Sequence, residues 1–298
     1  MTKKGHCPVL MTDVLKFLNV EREGVYIDCT VGLAGHAAAI LERNPRASLV
    51  GLDRDGLSLE LAREKLRPFN GRVRLYQSDF KYLHQLDIAF QDVRGVLLDL
   101  GMSSFQLDSP ERGFSFNLEG PLDMRMDQRN KTTAAKVLHT YSEPRLADLF
   151  AAYGELPHSR RLAREIVALR KLGRIETTSD LRRVVEEIYR WRPQKGKIHP
   201  AAKAFQALRI EVNQELEGLP EFLRETVGLS VPGTRFVAIS FHSLEDRIIK
   251  HTFADLATSE GRPPLLSILT RKPVTAGPDE VSANSRARSA KLRAAERL

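Results

Sequence analysis

Cysteine is nearly absent: the 298 residues hold two, Cys7 and Cys29. Two thiols make neither a disulfide framework nor a thiolate zinc site, and they fit a reducing compartment. Cys29 falls in an apolar run, where a free cysteine usually serves as a small hydrophobe. Long apolar runs are missing too. No stretch of about 18 apolar residues occurs, which excludes a membrane-spanning helix. The opening "MTKKGHCPVLMTDV" has two lysines but no long apolar stretch before a small-residue cleavage site. No signal peptide is therefore expected, and the expected home is the cytoplasm. The phosphate loop G-x-x-x-x-G-K-[ST] is absent, as is the G-x-S-x-G elbow. His36, His139, His158, His199, His242 and His251 are scattered without H-x-x-x-H spacing, so no metal site is expected. What is present is ample apolar material. At 42% hydrophobic residues the chain can bury a core, which excludes wholesale disorder.

Charge is also unevenly supplied. The formal net charge is +8, and thirteen Lys/Arg against five Asp/Glu between Leu156 and Lys203 account for an excess of the same size. A basic stretch of this kind suits a polyanion, most simply nucleic acid. A solvated helical face is the plain alternative. Trp191 is interleaved there, either as a core residue or as a stacking surface for a base.

The first hundred residues alternate strand and helix signals. "VYIDC" (25–29), "ASLVGLD" (47–53), "VRLYQSDF" (73–80) and "GVLLDLG" (95–101) read as strands, with helical spacing over 35–43 and 56–69. The last run is apolar on both faces, as in a central strand of a parallel sheet. Such alternation implies right-handed crossovers and an α/β doubly wound sheet. Residues 102–131, rich in Ser, Gly, Pro, Asp and Arg, read as a long loop, a kind that tends to be functional. Helical signals run from Thr132 to about Leu229. Strand character returns at "TRFVAISF" (234–241), followed by a helix over 244–257. The expected organisation is one α/β domain, 1–106 with 230–298, interrupted by a loop and helical insertion, 107–229.

The turn "DCTVGLAGHAAAIL" (28–41) joins the first strand to the first crossover helix. In a doubly wound sheet the ligand sits at the carboxyl ends of the strands. Asp28, Asp53, Asp79 and Asp99 stand at four consecutive strand ends. A carboxylate after the second strand accepts hydrogen bonds from ribose hydroxyls, which suits any adenosine ligand. A dinucleotide turn wants G-x-G-x-x-G, whereas the register from Gly32 reads G-L-A-G-H-A. Asp28 would repel phosphate and suit a cation, and Asp99 is placed to meet an ammonium. Adenosine joined to a positively charged amino acid describes S-adenosylmethionine, which these acids favour over NAD. Taken one at a time, each acid could equally be a helix cap or a surface ion pair.

Long segments are specific: "LLDLGMSSFQLDSPERGFSFNLEGPLDMRMD" (97–127), "HCPVLMTDVL" (6–15), "HPAAKAFQALRIEVNQEL" (199–216), "ISFHSLEDRIIK" (239–250) and "NSRARSAKLRAAE" (284–296). Nearly end to end, the chain closely resembles the bacterial small-subunit ribosomal RNA cytosine-N4 methyltransferases, the RsmH family, formerly MraW. The resemblance implies a Rossmann-like class I methyltransferase domain with an inserted all-helical domain. It implies methylation of the exocyclic amine of a cytosine in the decoding region of 16S rRNA, with S-adenosylmethionine as donor and the small ribosomal subunit as partner. By motif it places cofactor contacts on Ala34, Gly35, His36, Asp53, Phe80, Asp99 and Gln106. Phe80 makes sense there as an apolar wall for adenine. Ala37, Phe105 and Ser285 depart from the family's usual Ser, Pro and Pro, and none is one of those contacts.

The chemistry sets its own demands. Methylation at ring C5 would need a cysteine nucleophile, and neither cysteine sits in a loop at a strand end. Methylation of an amine needs positioning and acceptors for the amine protons, which the backbone and hydroxyls of "DLGMSS" can supply. Ser103, Asp123 and His242 are the candidate catalytic residues, with Arg125, Glu245 and Asp246 as further pocket candidates. Ion pairs that merely pin the loop or the helix after "SFHS" are the alternative for Asp123, Arg125, Asp127 and Arg247. A cytosine in folded RNA must be splayed out to be reached. The competing reading is an RNA-binding ribosome-assembly factor that uses the cofactor only structurally.

Overall fold

The computed structural model describes residues 8–193, 197–258 and 263–298; Cys7 and Lys195 lie outside them. Along the chain, α1 (Met11–Leu18), β1 (Gly24–Asp28), α2 (Gly35–Arg43), β2 (Ala47–Asp53), α3 (Gly56–Leu66), β3 (Val73–Gln77) and β4 (Val93–Asp99) form the first half of an α/β unit. Six helices follow: α4 (Ser104–Asp108), α5 (Ala134–Thr140), α6 (Glu143–Ala152), α7 (Ser159–Arg170), α8 (Thr178–Tyr189) and α9 (Pro200–Asn213). The α/β unit is completed by α10 (Leu219–Leu229), β5 (Arg235–Ser240), α11 (Ser243–Ala257), β6 (Leu266–Ile268), α12 (Pro278–Ala283) and β7 (Lys291–Arg297).

The sheet runs β3-β2-β1-β4-β5-β7-β6. β1 to β5 are parallel, and β7 lies antiparallel between β5 and β6. The order 3-2-1-4-5 is that of a doubly wound sheet, with its switch point between β1 and β4. Side chains alternate across the strands. Tyr26, Leu49, Leu97 and Val237 join Val14, Ile40 and Leu59 of α1, α2 and α3 on one face. Ile27, Val50, Val96 and Phe236 join Phe222 and Ile249 of α10 and α11 on the other. Burial on both faces is why the strands read as apolar runs.

The helical unit, Met102–Leu216, has its own core of Leu138, Leu146, Phe150, Leu162, Ile166, Val185, Phe205 and Leu208. Residues 102–131 are anchored rather than loose, since Phe114, Leu122, Met124 and Met126 are buried in that core. Asn213 of α9 latches them: its Oδ1 accepts the Met126 N–H at 2.7 Å and its Nδ2 donates to the Met124 carbonyl at 2.8 Å.

The chain divides into two compact units at 101/102 and 216/217, where the sequence reading set the insertion at 107–229. Helix α10 buries Leu219, Phe222, Leu223 and Val227 against the sheet and so belongs to the α/β unit. In addition, the C-terminal "KLRAAER", which carries no strand signal in its sequence, is a strand inside the sheet.

Candidate active site

The first turn rests on two left-handed residues. Gly32 has φ 49° and Ala34 φ 55°, and Ala34 precedes the first residue of α2. Asp53 ties this turn to the next one: Oδ2 accepts the Gly32 N–H at 2.8 Å and Oδ1 accepts the Asp55 N–H at 2.8 Å. Thr30 reaches across to β4, its Oγ1 accepting the Asp99 N–H at 2.7 Å. Gly35 meets Pro8, whose Cγ an added Cβ would overlap. Gly35→Ala should therefore overpack this turn, with a loss of about 1–3 kcal/mol. A drop in denaturant midpoint at unchanged slope would show it, and an unmoved midpoint would mean that Pro8 yields freely.

Asp28 interacts electrostatically with His36, Asp99 and Asp53. Asp28 is 2% exposed and His36 5%. His36 Nε2 lies 3.5 Å from Asp99 Oδ2. Among the described residues, neither ring nitrogen of His36 has a hydrogen-bond partner, and Asp99 Oδ1 has none either. Burial pushes the Asp28 carboxyl up to about 7; the pull of His36 and the Thr30 N–H opposes the rise, while Asp99 and Asp53 add to it. Burial likewise lifts Asp53 to about 6 against its two backbone hydrogen bonds. The fourth acid, Asp79, is engaged elsewhere: it pairs with Arg54 at 3.0 Å and caps the 3-10 turn at 80–85. Phe80 is buried with its ring edge-on to Phe222 at 4.9 Å.

An acid held above its unfolded value destabilises the fold once it ionises. Between about pH 4 and 7 the folded chain binds more protons at Asp28 than the unfolded one, so stability falls as pH rises. Each tenfold change in proton affinity is worth about 1.4 kcal/mol. Asp28→Asn should therefore raise the melting temperature of the cofactor-free protein at pH 8 and leave it nearly unchanged at pH 4. An equal change at both values would refute the assignment.

The remaining candidates have visible local partners. In the helical unit, Ser103 and Gln106 form a reciprocal capping box on α4: Ser103 Oγ accepts the Gln106 N–H at 3.2 Å and Gln106 Oε1 accepts the Ser103 N–H at 3.0 Å. Asp123 holds Arg125 through bonds of 2.7 and 2.9 Å, and Arg125 donates to the carbonyls of Gln128 and Asn130. Trp191 is half-buried and tilted against His199, ring centres 5.0 Å apart. In the α/β unit, His242 caps α11. Its Nδ1 accepts the Glu245 N–H at 3.4 Å, and its Nε2 lies 3.2 Å from Glu245 Oε1. Glu245 Oε2 in turn accepts the N–H groups of Phe241 and His242. Asp246 binds Arg293 at 2.6 Å and Lys291 at 3.3 Å. Burial works against it, yet the Arg293 hydrogen bond and charge hold its carboxyl below the usual range. Sequence reasoning passed over Pro8, Thr30 and the grouping of Asp28 with His36. Their only signal was position, next to a glycine turn and a strand end.

The doubly wound sheet with its antiparallel seventh strand agrees with the class I methyltransferase domain that the family resemblance implies. The model of the MraW methylase family matches residues 3–298, and the chain belongs to that family. Three relatives bear the name ribosomal RNA small subunit methyltransferase H. That of Cyanothece sp. is 48% identical over 98% of this chain and 95% of its own. That of Oleidesulfovibrio alaskensis is 46% identical over 99% and 95%, and that of Persephonella marina 45% over 98% and 99%. The protein is thus a methylase, with S-adenosylmethionine as donor. Among the described residues, no helix is long and apolar enough to cross a membrane.

Proposed function

We propose that this methylase acts on the exocyclic N4 amine of a cytosine in the decoding region of 16S rRNA, in the cytoplasm and on the small ribosomal subunit. The observation that carries this is relatedness: proteins named for small-subunit rRNA methylation share 45–48% of residues over almost the whole chain. The chain's own chemistry supports it. Asp99 and His36 offer buried polar atoms without hydrogen-bond partners among the described residues, which fit the ammonium and carboxylate of a bound amino acid. Ala34, Gly35, Asp53, Phe80 and Gln106 complete the set assigned to the cofactor. When bound, S-adenosylmethionine supplies an electrophilic methyl group.

The chain must then orient the amine and accept its protons, and the backbone and hydroxyls of residues 99–104 are assigned that task. Ser103, Asp123 and His242 are retained as substrate-side residues, acting through the backbone they brace. Burial pushes the Cys29 thiol well up, which speaks against Cys29 as a thiolate nucleophile.

The exposed Arg160, Arg161 and Arg164 of α7 are assigned to RNA phosphates. Replacing Arg160 and Arg161 with Ala should weaken RNA binding and reduce the salt slope by about one for each phosphate no longer neutralised. An unchanged slope would remove these residues from the interface. The activity itself is tested by incubating small subunits from cells lacking this gene with the protein and methyl-labelled S-adenosylmethionine. Label in N4-methylcytidine supports the reading, and label in another nucleoside rejects the atom assigned. No label with the cofactor still bound would favour the assembly-factor role.

A further inference from the structure

Four aromatic rings form a chain from the core of the helical unit to half-buried Trp191. Phe205 is buried in that core, and Phe116 meets it edge-on at 5.9 Å. Phe116 stacks on His199, ring centres 5.1 Å and planes 26° apart. Trp191 is tilted against His199 at 5.0 Å. The imidazole is held firmly. Its Nδ1 accepts the Ala201 N–H at 3.1 Å, so its Nε2 carries the proton donated to Glu186 Oε1 at 3.0 Å. Trp191 is placed by the end of α8. The N–H groups of Arg190 and Trp191 donate to the carbonyls of Glu187 and Glu186 and close the helix. Arg190 takes the left-handed position of this closure, with φ 45°. Glycine usually fills that position, because a Cβ is disfavoured there; here an arginine fills it and sets a cation next to Trp191 in the chain.

The segment that carries the indole has charge of one sign. From Arg190 to His199 the sequence holds no acid, and Arg190, Arg192 and Lys197 are exposed. In the last turn of α8, Glu186 is engaged by Arg182 and His199, which leaves exposed Glu187 as the other acid. An aromatic face set among cations is the combination that binds single strands: bases stack on the ring and the cations follow the phosphates. We propose that Trp191 is a stacking platform for an unpaired base of the RNA substrate, with Arg190, Arg192 and Lys197 on the flanking phosphates. The base continues the chain of rings that starts at Phe205. Because His199 and the end of α8 already hold the indole, little freedom is lost on binding. Stacking reads no base edge, so this contact grips the strand and leaves the choice of base to other residues. The proposal rests on the reading of the substrate as RNA, and adds a base contact to the phosphate contacts assigned to α7.

Trp191 is the only tryptophan of the chain, so its fluorescence reports the platform alone. Titrating the full chain with an oligocytidylate of about eight nucleotides, at about 50 mM salt, should quench that fluorescence to saturation. An abasic strand of equal length and a fully paired duplex should bind through phosphate without such quenching. Followed by anisotropy of a dye-labelled strand, Trp191→Ala should weaken binding roughly 5- to 100-fold and leave the salt slope unchanged. Arg192→Gln should lower the slope by about 0.7. Trp191→Phe keeps a ring and should retain most of the affinity; it replaces the alanine variant if that one fails to fold by circular dichroism, and a loss as large as that set out for Ala then overturns the platform. Equal quenching by the abasic strand, or wild-type affinity in Trp191→Ala, also overturns it. So does the absence of quenching by the oligocytidylate. The RNA reading then stands or falls separately, on whether small subunits still bind. If they bind only with Trp191 intact, the face belongs to a protein partner; if they do not bind at all, both readings fall.

Discussion

Asp99→Ala is expected to weaken binding of S-adenosylmethionine by roughly 10²- to 10³-fold and to abolish methyl transfer at ordinary cofactor levels. The expectation follows from what surrounds the side chain. Its backbone N–H is pinned by Thr30 Oγ1 at 2.7 Å, so the carboxylate is held in place. Oδ2 lies 3.5 Å from His36, while the buried Oδ1 has no hydrogen-bond partner among the described residues. That oxygen is available to an ammonium. Truncating one side of a buried, hydrogen-bonded charge pair costs about 2–5 kcal/mol, and every 1.4 kcal/mol is about tenfold in affinity. Asp99→Asn, which keeps the shape and loses the charge, should fall between the wild type and Ala. Calorimetry gives the affinity, and a filter-binding assay follows RNA. RNA affinity should hardly change, because the basic residues assigned to phosphate lie in the helical unit, which has its own core. A parallel collapse of RNA binding would mean that the two tasks are not separate.

The second large effect is structural. Glu215→Ala should destabilise the helical unit by about 3–5 kcal/mol. Arg209 and Glu215 form a bidentate pair, Nε and Nη2 donating at 2.9 Å, with side chains only 8% and 7% exposed. Removing the acid takes this bidentate carboxylate away from a buried guanidinium, the costly half of such a pair. Arg209 also belongs to α9, whose Asn213 anchors residues 124–126, so the damage should spread to the loop. Replacing both partners with apolar residues of similar volume should cost much less. Denaturant unfolding followed by fluorescence of Trp191, which lies in this unit, reports the change. Because each unit has its own core, separate transitions for the two are a natural outcome, and each midpoint should then be read by itself. A loss below about 1 kcal/mol would show that solvent reaches the pair.

Strands β1, β2 and β4 were legible in the sequence because burial on both faces demands unbroken apolar runs such as "VLL". Strand β7 was not, since Lys, Leu, Arg, Ala and Glu are helix formers. It is a strand because β5 and β6 offer ladder partners on both sides, and because Asp246 of α11 neutralises the charges of Arg293 and Lys291. The insertion was legible as helical, but its far boundary was not. Helix α10 has the same amphipathic pattern as the helices before it, and only the identity of its packing partner assigns it to the sheet.

The same division runs through the site. Local sequence determined that acids stand at strand ends, that the turn is not a dinucleotide fingerprint, and that basic residues concentrate in one block. These are properties of neighbouring residues and of spacing, so one chain suffices to read them. Tertiary structure alone decided which acids share a site. Asp99 lies far along the chain from Asp28 and His36, and parallel pairing of β1 with β4 brings it to their turn, while Asp79, identical on paper, is drawn off by Arg54. It also supplied local partners for Ser103, Asp123 and His242. A side chain's chemistry is set by its burial and by the charges around it, and those are fixed only when residues distant in sequence become neighbours in space.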